Sequence, residues 1–166
     1  MNTKYPLLTT LALVFSINVN AKHTTSSKII YEKPQEFSDF RLSFKQRPLD
    51  TKFLIDDLNL QIEKIASQIL PNQHQILIKF HDIDMAGNIV SHADIRKTKK
   101  YLDKSVLNFE YAIVDAEQNI IKYGKEKLIE TNLLMKSLRM KKFRYTEFDH
   151  ELLQFSNWLN KVSKTL

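Results

Sequence analysis

The chain contains no cysteine, and its only two glycines, Gly87 and Gly124, lie far apart. Without cysteine it forms no disulfide and no thiolate metal site, and it cannot carry the lipid that anchors a lipoprotein through a cysteine. Loops that bind dinucleotides or phosphates need clustered glycines, because the backbone must approach the phosphate closely. The sequence therefore excludes lipid-anchored proteins, disulfide-stabilised proteins and nucleotide-binding enzymes of the glycine-loop type.

Patterns for metal binding and for nucleophilic catalysis are also missing. The histidines are His23, His74, His81, His92 and His150, and they show neither helical metal-ligand spacing nor an H-E-x-x-H motif. The G-x-S-x-G pattern of a serine nucleophile is absent as well. We expect no metal, no cofactor and no catalytic residue, and the sequence favours a protein that is not an enzyme.

The N-terminal segment has the three parts of a secretory signal peptide. Met1–Tyr5 carries one cation, and Leu7–Ile17 is an apolar run broken only by threonine and serine. Val19 and Ala21 then supply the small residues that signal peptidase requires. The run is too short for a spanning helix, which needs about 20 apolar residues. We expect cleavage after Ala21, leaving residues 22–166 as one periplasmic domain.

Basic residues outnumber acidic residues, and the formal net charge is +6. Net charge alone is a weak functional signal, which solubility also explains. Export makes nucleic acid a poor partner, so the remaining partner classes are an envelope protein and an anionic envelope component. The basic tract 136–144 could lie on an anionic surface, or it could be the solvated face of a helix and a loop.

Three segments have the apolar spacing that is typical of helices. The first runs from about Asp50 to Leu70, with Asp50 or Thr51 able to cap its start. The second covers 131–140. The third begins near Thr146 with a capping-box-like start and carries the apolar stripe Phe148–Leu159.

Alternating apolar residues predict strands at Lys28–Tyr31 and Gln75–Ile83 and a β-hairpin formed by Leu107–Val114 and Ile120–Leu128. Residues 91–105 are polar and basic, and we interpret them as a loop. These elements predict an α/β or α+β sandwich of two layers. Its mixed sheet would have about four strands, with helices mainly on one face.

The segment between the first strand and the first helix is unusually aromatic. Lys33-Pro34 ends the strand, because proline cannot donate to a β-ladder. Phe37, Phe40 and Phe44 follow in an extended or irregular stretch. Side chains of this size need apolar cover, so we expect the stretch to lie on the core.

Charged residues near the end of the second strand form the one candidate site. Asp82 and Asp84 alternate on a strand and so share a face, and their carboxylates could converge on a cation or an arginine. Arg96, two residues after Asp94, could pair with them. We expect Asp82, Asp84, Asp94 and Arg96 to form a structural ion-pair cluster. The alternatives are a binding site and ordinary solvation of a strand end.

Three functional interpretations stay open. The first is a non-enzymatic envelope protein that binds a partner or an envelope component. The second is an enzyme that acts on an envelope component through the Asp82/Asp84 region, and the third is a small-ligand carrier. The absence of a nucleophile, a metal cluster and a phosphate loop favours the first.

Several segments together resemble a known family. They are YEKPQEFSD at Tyr31–Asp39, HDIDMAG at His81–Gly87, Asp94–Arg96, and the stretch from Phe109 to Trp158. In these segments the chain resembles the periplasmic proteins of family 3016 of the domains of unknown function, from proteobacteria. The resemblance implies export and a single domain. It implies no activity, ligand or catalytic residue at any position.

Overall fold

A computed structural model describes residues 26–43, 45, 47–90, 95–97, 104–131 and 147–166. Within these residues six strands and two α-helices follow one another as β1 (Ser27–Tyr31), α1 (Pro48–Ile69), β2 (Gln75–Asp84), β3 (Asn88–Val90), β4 (Ile95–Lys97), β5 (Ser105–Val114), β6 (Ile120–Glu130) and α2 (Asp149–Ser163). A 3-10 turn, Pro34–Glu36, lies between β1 and α1. None of the helices in the described ranges has the length and apolarity needed to cross a membrane.

Four of the strands form one mixed sheet in the order β1-β2-β5-β6. β1 lies parallel to β2, and the chain passes from one to the other through α1. β5 is antiparallel to both of its neighbours, β2 and β6. The predicted α+β class with a four-stranded mixed sheet is therefore confirmed.

The predicted loop at 91–105 is wrong where the structure describes strands, because Ile95–Lys97 forms β4 and Ser105 begins β5. The residues 91–94 and 98–103 lie outside the described ranges. Strand β4 pairs antiparallel with β3 as a separate two-stranded ladder. A three-residue strand with one apolar side chain has no detectable alternation, and its backbone hydrogen bonds come from a partner strand, which no local pattern shows.

Helix α1 begins two residues before its predicted start, and its cap differs from the prediction. Pro48 is the first helical residue, a position where the missing N–H of proline has no intrahelical partner in any case. Asp50, which was expected to precede the helix, lies in its first turn and accepts a hydrogen bond from the backbone N–H of Arg47 at 2.9 Å. The carboxylate thus caps the helix from inside it.

Several predictions concern residues outside the described ranges. These are the signal peptide at 1–21, Phe44, the basic tract 136–144, and the helix at 131–140 apart from its first residue. Helix α2 begins at Asp149, three residues after its predicted start, and ends at Ser163. The predicted cap is wrong, because Phe148 is the N-cap and contributes no side-chain hydrogen bond.

Both helices pack on the same face of the sheet and enclose the main core. Their apolar stripes, predicted from helical spacing, are buried there. The side chains that meet between the two layers include Leu54, Leu58 and Ile62 from α1, Leu152, Phe155 and Leu159 from α2, and Ile76, Ile78, Phe80, Phe109 and Ile113 from the sheet. Phe37 and Phe40 are buried in the same cluster, as predicted for their segment.

A β-bulge in β2 changes which residues face this core. Phe80 pairs with Phe109, and the next pair is Asp82 with Asn108, so His81 is an extra residue. The alternation reverses after the bulge, and Ile83 therefore returns to the core. Asp82 and Asp84 consequently lie on the opposite face, whereas regular alternation would have placed them on the face of Phe80.

Candidate functional site

Asp82 joins the end of β2 to the segment that follows β1. Its carboxylate accepts one hydrogen bond from the backbone N–H of Ser38 and another from the Ser38 hydroxyl, both at 2.7 Å. Each carboxylate oxygen receives one of these bonds. Asp82 therefore acts as a structural acceptor between two segments that are 44 residues apart.

The backbone beside Asp82 strengthens this junction. Asp39 donates its N–H to the carbonyl of Ile83 at 3.2 Å, and its own carbonyl accepts from the N–H of Met85 at 2.9 Å. An isolated parallel bridge links Asp39 to Asp84. The segment after β1 thus continues to pair with β2 beyond the end of the regular ladder.

Asp84 lies in a different electrostatic environment from Asp82. Burial raises the pKa of its carboxyl, and the negative charges of Asp39 and Asp82 raise it further. The ammonium group of Lys104, 3.6 Å from the carboxylate, opposes the increase without cancelling it. The net effect is a carboxyl whose pKa lies above the ordinary value.

The predicted pairing of these aspartates with Arg96 stays a prediction. Asp94 and the side chain of Arg96 lie outside what the structure describes. Instead, the structure shows Asp82 bonded to Ser38 and Asp84 paired with Lys104.

The start of the segment after β1 is held in a strained conformation. Lys33 has φ 56° and ψ 62°, the left-handed region that residues with a side chain seldom adopt. Such a conformation costs roughly 1–3 kcal/mol and persists only where the surroundings impose it. A hydrogen bond from the N–H of Glu36 to the carbonyl of Lys33, at 2.8 Å, closes the turn. The neighbouring bonds to β2 hold the rest of the segment.

An open cleft of about 560 Å³ lies between this segment and the start of α1. Small-molecule sites commonly have volumes of about 300–1,000 Å³. Its lining combines proline, aromatic, hydroxyl and guanidinium groups with one acidic residue, and includes Pro34, Ser38, Asp39, Arg41, Arg47 and Thr51. Ser38 lines the cleft and also forms the junction with Asp82. The hydrogen bonds that fix this junction therefore also fix one wall of the cleft.

Both arginines of the cleft are oriented by carboxylates. Arg41 Nε lies 3.1 Å from Asp39 Oδ1. Arg47 donates from Nη2 to Asp50 Oδ1 at 3.0 Å and from Nε to Asp50 Oδ2 at 3.3 Å. The side-chain and backbone hydrogen bonds from Arg47 hold the pKa of Asp50 below its ordinary value.

A ladder of ionisable side chains crosses the sheet face opposite the helices. Glu32 Oε2 receives His81 Nδ1 at 2.6 Å and Lys79 Nζ at 3.0 Å. On the other side of the ring, His81 Nε2 lies 3.3 Å from Glu110 Oε1, without the direction of a hydrogen bond. Glu110 also pairs with Lys125. The ladder thus connects β2, β5 and β6 with the residue that follows β1.

The two carboxylates of the ladder titrate at lower pH than ordinary glutamates. Hydrogen bonds from Lys79 and His81 hold the pKa of Glu32 below its usual range. Burial raises the pKa of Glu110, but the hydrogen bond from Lys125 and the positive charges around it outweigh that effect and lower the pKa overall. Both groups are therefore ionised at neutral pH.

A buried carboxylate ties α2 to the turn after β2. Glu151 is only 2% exposed, and its Oε1 accepts the backbone N–H of Ala86 at 2.7 Å. The turn that follows Asp84 is thus held from the helix layer as well as from the sheet. Within the described ranges, no three histidine, aspartate or glutamate side chains are placed to hold a metal ion.

The sequence did not identify Ser38, Arg41, Arg47, Glu32 or His81 as parts of one region. Two of them, Glu32 and Ser38, belong to the segment YEKPQEFSD that carried the family resemblance, and His81 begins the second such segment. The structure brings these two segments together beyond the end of the β1–β2 ladder. The resemblance of both segments to one family was the sequence signal that could have identified this region.

One comparison with known proteins identifies the family of this chain. The model of a family described as "Protein of unknown function (DUF3016)" matches residues 25–161. The matched range contains both segments that meet at the end of β2, as well as α1, the whole four-stranded sheet and all but the last two residues of α2. No curated protein and no solved structure matches the chain.

Proposed function

The chain belongs to the DUF3016 family of proteins of unknown function, and from that premise we propose that it is an exported, non-enzymatic binding protein of the cell envelope. Its ligand would enter the cleft between the segment after β1 and the start of α1. The observation that carries the proposal is the construction of this cleft. One wall is strained at Lys33 and hydrogen-bonded to β2 at Ser38 and Asp39, so the cavity exists before any ligand arrives.

Binding fits the described side chains better than catalysis does. Both oxygens of Asp82 accept hydrogen bonds from Ser38, which favours a structural role. A second candidate function, an enzyme acting on an envelope component through Asp82 and Asp84, draws support from the raised pKa of Asp84. Perturbed carboxyls are frequent in active sites, but ion-pair networks also produce them.

The proposal of export rests on the N-terminal sequence. The small residues at Val19 and Ala21 predict that the mature protein starts at Lys22. N-terminal sequencing of protein recovered from the envelope fraction should read Lys22-His23-Thr24. Recovery of exported protein that still begins at Met1 would contradict processing.

A capture experiment with matched tryptophan variants tests binding in the cleft. Thr51→Trp places a large side chain in the cleft, whereas Lys64→Trp adds the same bulk at an exposed position of the same helix. Tagged mature protein should crosslink one defined component in envelope extracts. We expect Thr51→Trp to reduce that capture at least tenfold and Lys64→Trp to leave it unchanged.

The same experiment separates the competing functions. Capture that survives in a folded Thr51→Trp variant would place the binding surface elsewhere and contradict the proposal. Turnover of an envelope component that is abolished by Asp84→Asn, in a variant with unchanged thermal stability, would favour the enzyme instead.

A further inference from the structure

We infer that the ligand of this cleft carries a phosphate or carboxylate group, which Arg41 and Arg47 bind together. The inference rests on the proposed function and specifies its ligand class. Two arginines line one cavity from separate parts of the chain, Arg41 in the segment after β1 and Arg47 as the residue that precedes α1. Arginine side chains from separate elements meeting at one cavity are a common way to recognise oxyanions.

The two arginines are accessible to a ligand in the cleft. The Arg41 side chain is 48% exposed and that of Arg47 is 76% exposed. Asp50 engages the Nε and one Nη2 hydrogen of Arg47, which are two of the five N–H donors of a guanidinium. The remaining donors of Arg47 lie on a planar group that the carboxylate already holds in place, so little rotamer entropy is lost when an oxyanion binds.

Charge balance limits how strongly a simple ion would bind. Asp39 and Asp50 offset the charges of Arg41 and Arg47, so long-range attraction of anions to the cleft is weak. Recognition must therefore come from direct N–H···O bonds, whose geometry favours phosphate and carboxylate over chloride. We expect selectivity between anions at equal ionic strength rather than general anion affinity.

The rest of the lining indicates an organic anion. Pro34 and Pro48 contribute apolar surface beside the arginines, and Thr51 adds a hydroxyl group. A phosphate ester or an organic carboxylate can place its charged group on the guanidinium groups and its carbon skeleton against the prolines. Inorganic phosphate makes only the first of these contacts, so we expect it to bind more weakly than phenyl phosphate.

Charged probes and a neutral isostere test the inference. In amide NMR spectra of the mature protein, phenyl phosphate and benzoate should shift the resonances of 35–41, 47 and 49–51, whereas benzamide, the neutral counterpart of benzoate, should not. Arg41→Gln and Arg47→Gln should each raise the dissociation constant at least fivefold. Lys64→Gln, an exposed charge removed elsewhere on α1, should leave it unchanged.

A conservative variant guards against a purely structural effect. Arg47→Lys keeps the charge but loses the planar donor set, so we expect weakened binding of phenyl phosphate at unchanged thermal stability. Cosedimentation with phosphatidylglycerol vesicles, but not with phosphatidylcholine vesicles, would identify a lipid headgroup as the source of the anion if Arg47→Gln abolishes it. Binding of phenyl phosphate without cosedimentation would identify a soluble ligand, and either result supports the inference.

Two outcomes would overturn the inference. In the first, benzamide binds in the cleft as tightly as benzoate, which rejects the anion and leaves the proposed binding function intact. In the second, shifts caused by phenyl phosphate spread over surface lysines and persist in Arg47→Gln. The proposed function fails separately, through capture that is indifferent to Thr51→Trp.

Discussion

The two faces of the four-stranded sheet are stabilised in different ways. The face covered by α1 and α2 is a continuous apolar layer in which Phe80, Phe109 and Phe155 are almost completely buried. The opposite face carries the ladder of Glu32, Lys79, His81, Glu110 and Lys125. One face is held by packing, whereas the other combines charged groups paired across strands with a small apolar cluster of Leu77, Ala112 and Val114.

The comparison separates the residues that stabilise the fold from those that position the wall of the cleft. A buried phenylalanine contributes several kcal/mol, whereas partly exposed ion pairs contribute about 0–1 kcal/mol each. The apolar face therefore supplies most of the free energy of folding. The polar junction at Ser38 and Asp82 supplies little energy, but it fixes the wall of the cleft.

The largest expected effect is on the apolar face. Phe155 is 1% exposed and touches Phe109 and Trp158, so Phe155→Ala should destabilise the protein by about 3–5 kcal/mol. Chemical denaturation measures the change. Phe53→Ala removes the same side chain where it is 58% exposed, and should change stability by less than about 0.5 kcal/mol. A loss below about 1 kcal/mol at Phe155 would mean that α2 packs only peripherally.

An intermediate effect on stability is expected at the junction formed by Ser38 and Asp82. Asp82→Asn keeps one oxygen acceptor but loses the charge-assisted bonds to Ser38, so we expect a loss of about 1–2 kcal/mol. Asp56→Asn is the matched control, because Asp56 pairs with Lys52 on the exposed side of α1. It should cost less than about 0.5 kcal/mol.

The two aspartate variants also sharpen the choice between a structural and a binding role. If Asp82→Asn is no more destabilising than Asp56→Asn and yet abolishes ligand capture, then the carboxylate belongs to a binding site. Destabilisation without loss of capture would confirm a structural connection between the two segments.

The apolar face was largely predictable from sequence. The stripe from Leu54 to Ile69 and the stripe from Phe148 to Leu159 depend on helical periodicity, which a single segment displays by itself. The hairpin of β5 and β6 was equally local, because its two strands are adjacent in the chain. Each of these predictions needed only the residues inside the element.

The cleft was not predictable, because it depends on contacts between distant segments. Ser38 meets Asp82 only because β1 lies parallel to β2 and the chain continues along it, a pairing that leaves no local pattern. The bulge at His81 was equally unpredictable, because the residues of β2 before the bulge and those after it each alternate regularly. The sequence did not place Arg47 at the start of the helix, because Pro48 was not predicted to be the first helical residue.

The smallest expected effect is on the pH dependence of stability, through the charged ladder. The folded-state pKa values of Glu32 and Glu110 lie below the ordinary value of 4.5, so unfolding raises them and the unfolded chain binds more protons. Their contribution is present above pH 4.5 and is lost as pH falls through the folded pKa values. The ladder therefore stabilises the protein at neutral pH and weakens it in acid.

Glu110→Gln tests this contribution. Without the carboxylate, the ion pair with Lys125 is lost at neutral pH, but the variant has one group fewer to protonate in acid. We expect the stabilities of wild type and variant to differ most near pH 7 and to converge below pH 4.5, as measured by denaturation midpoints across the range. Glu36→Gln, which removes an exposed pair with Lys33, should show a smaller difference. A difference in stability between wild type and Glu110→Gln that stays constant from pH 7 to pH 3 would mean that the ladder stabilises the protein through packing of its aliphatic stems. Both faces of the sheet would then be stabilised mainly by packing, and they would differ only in its extent.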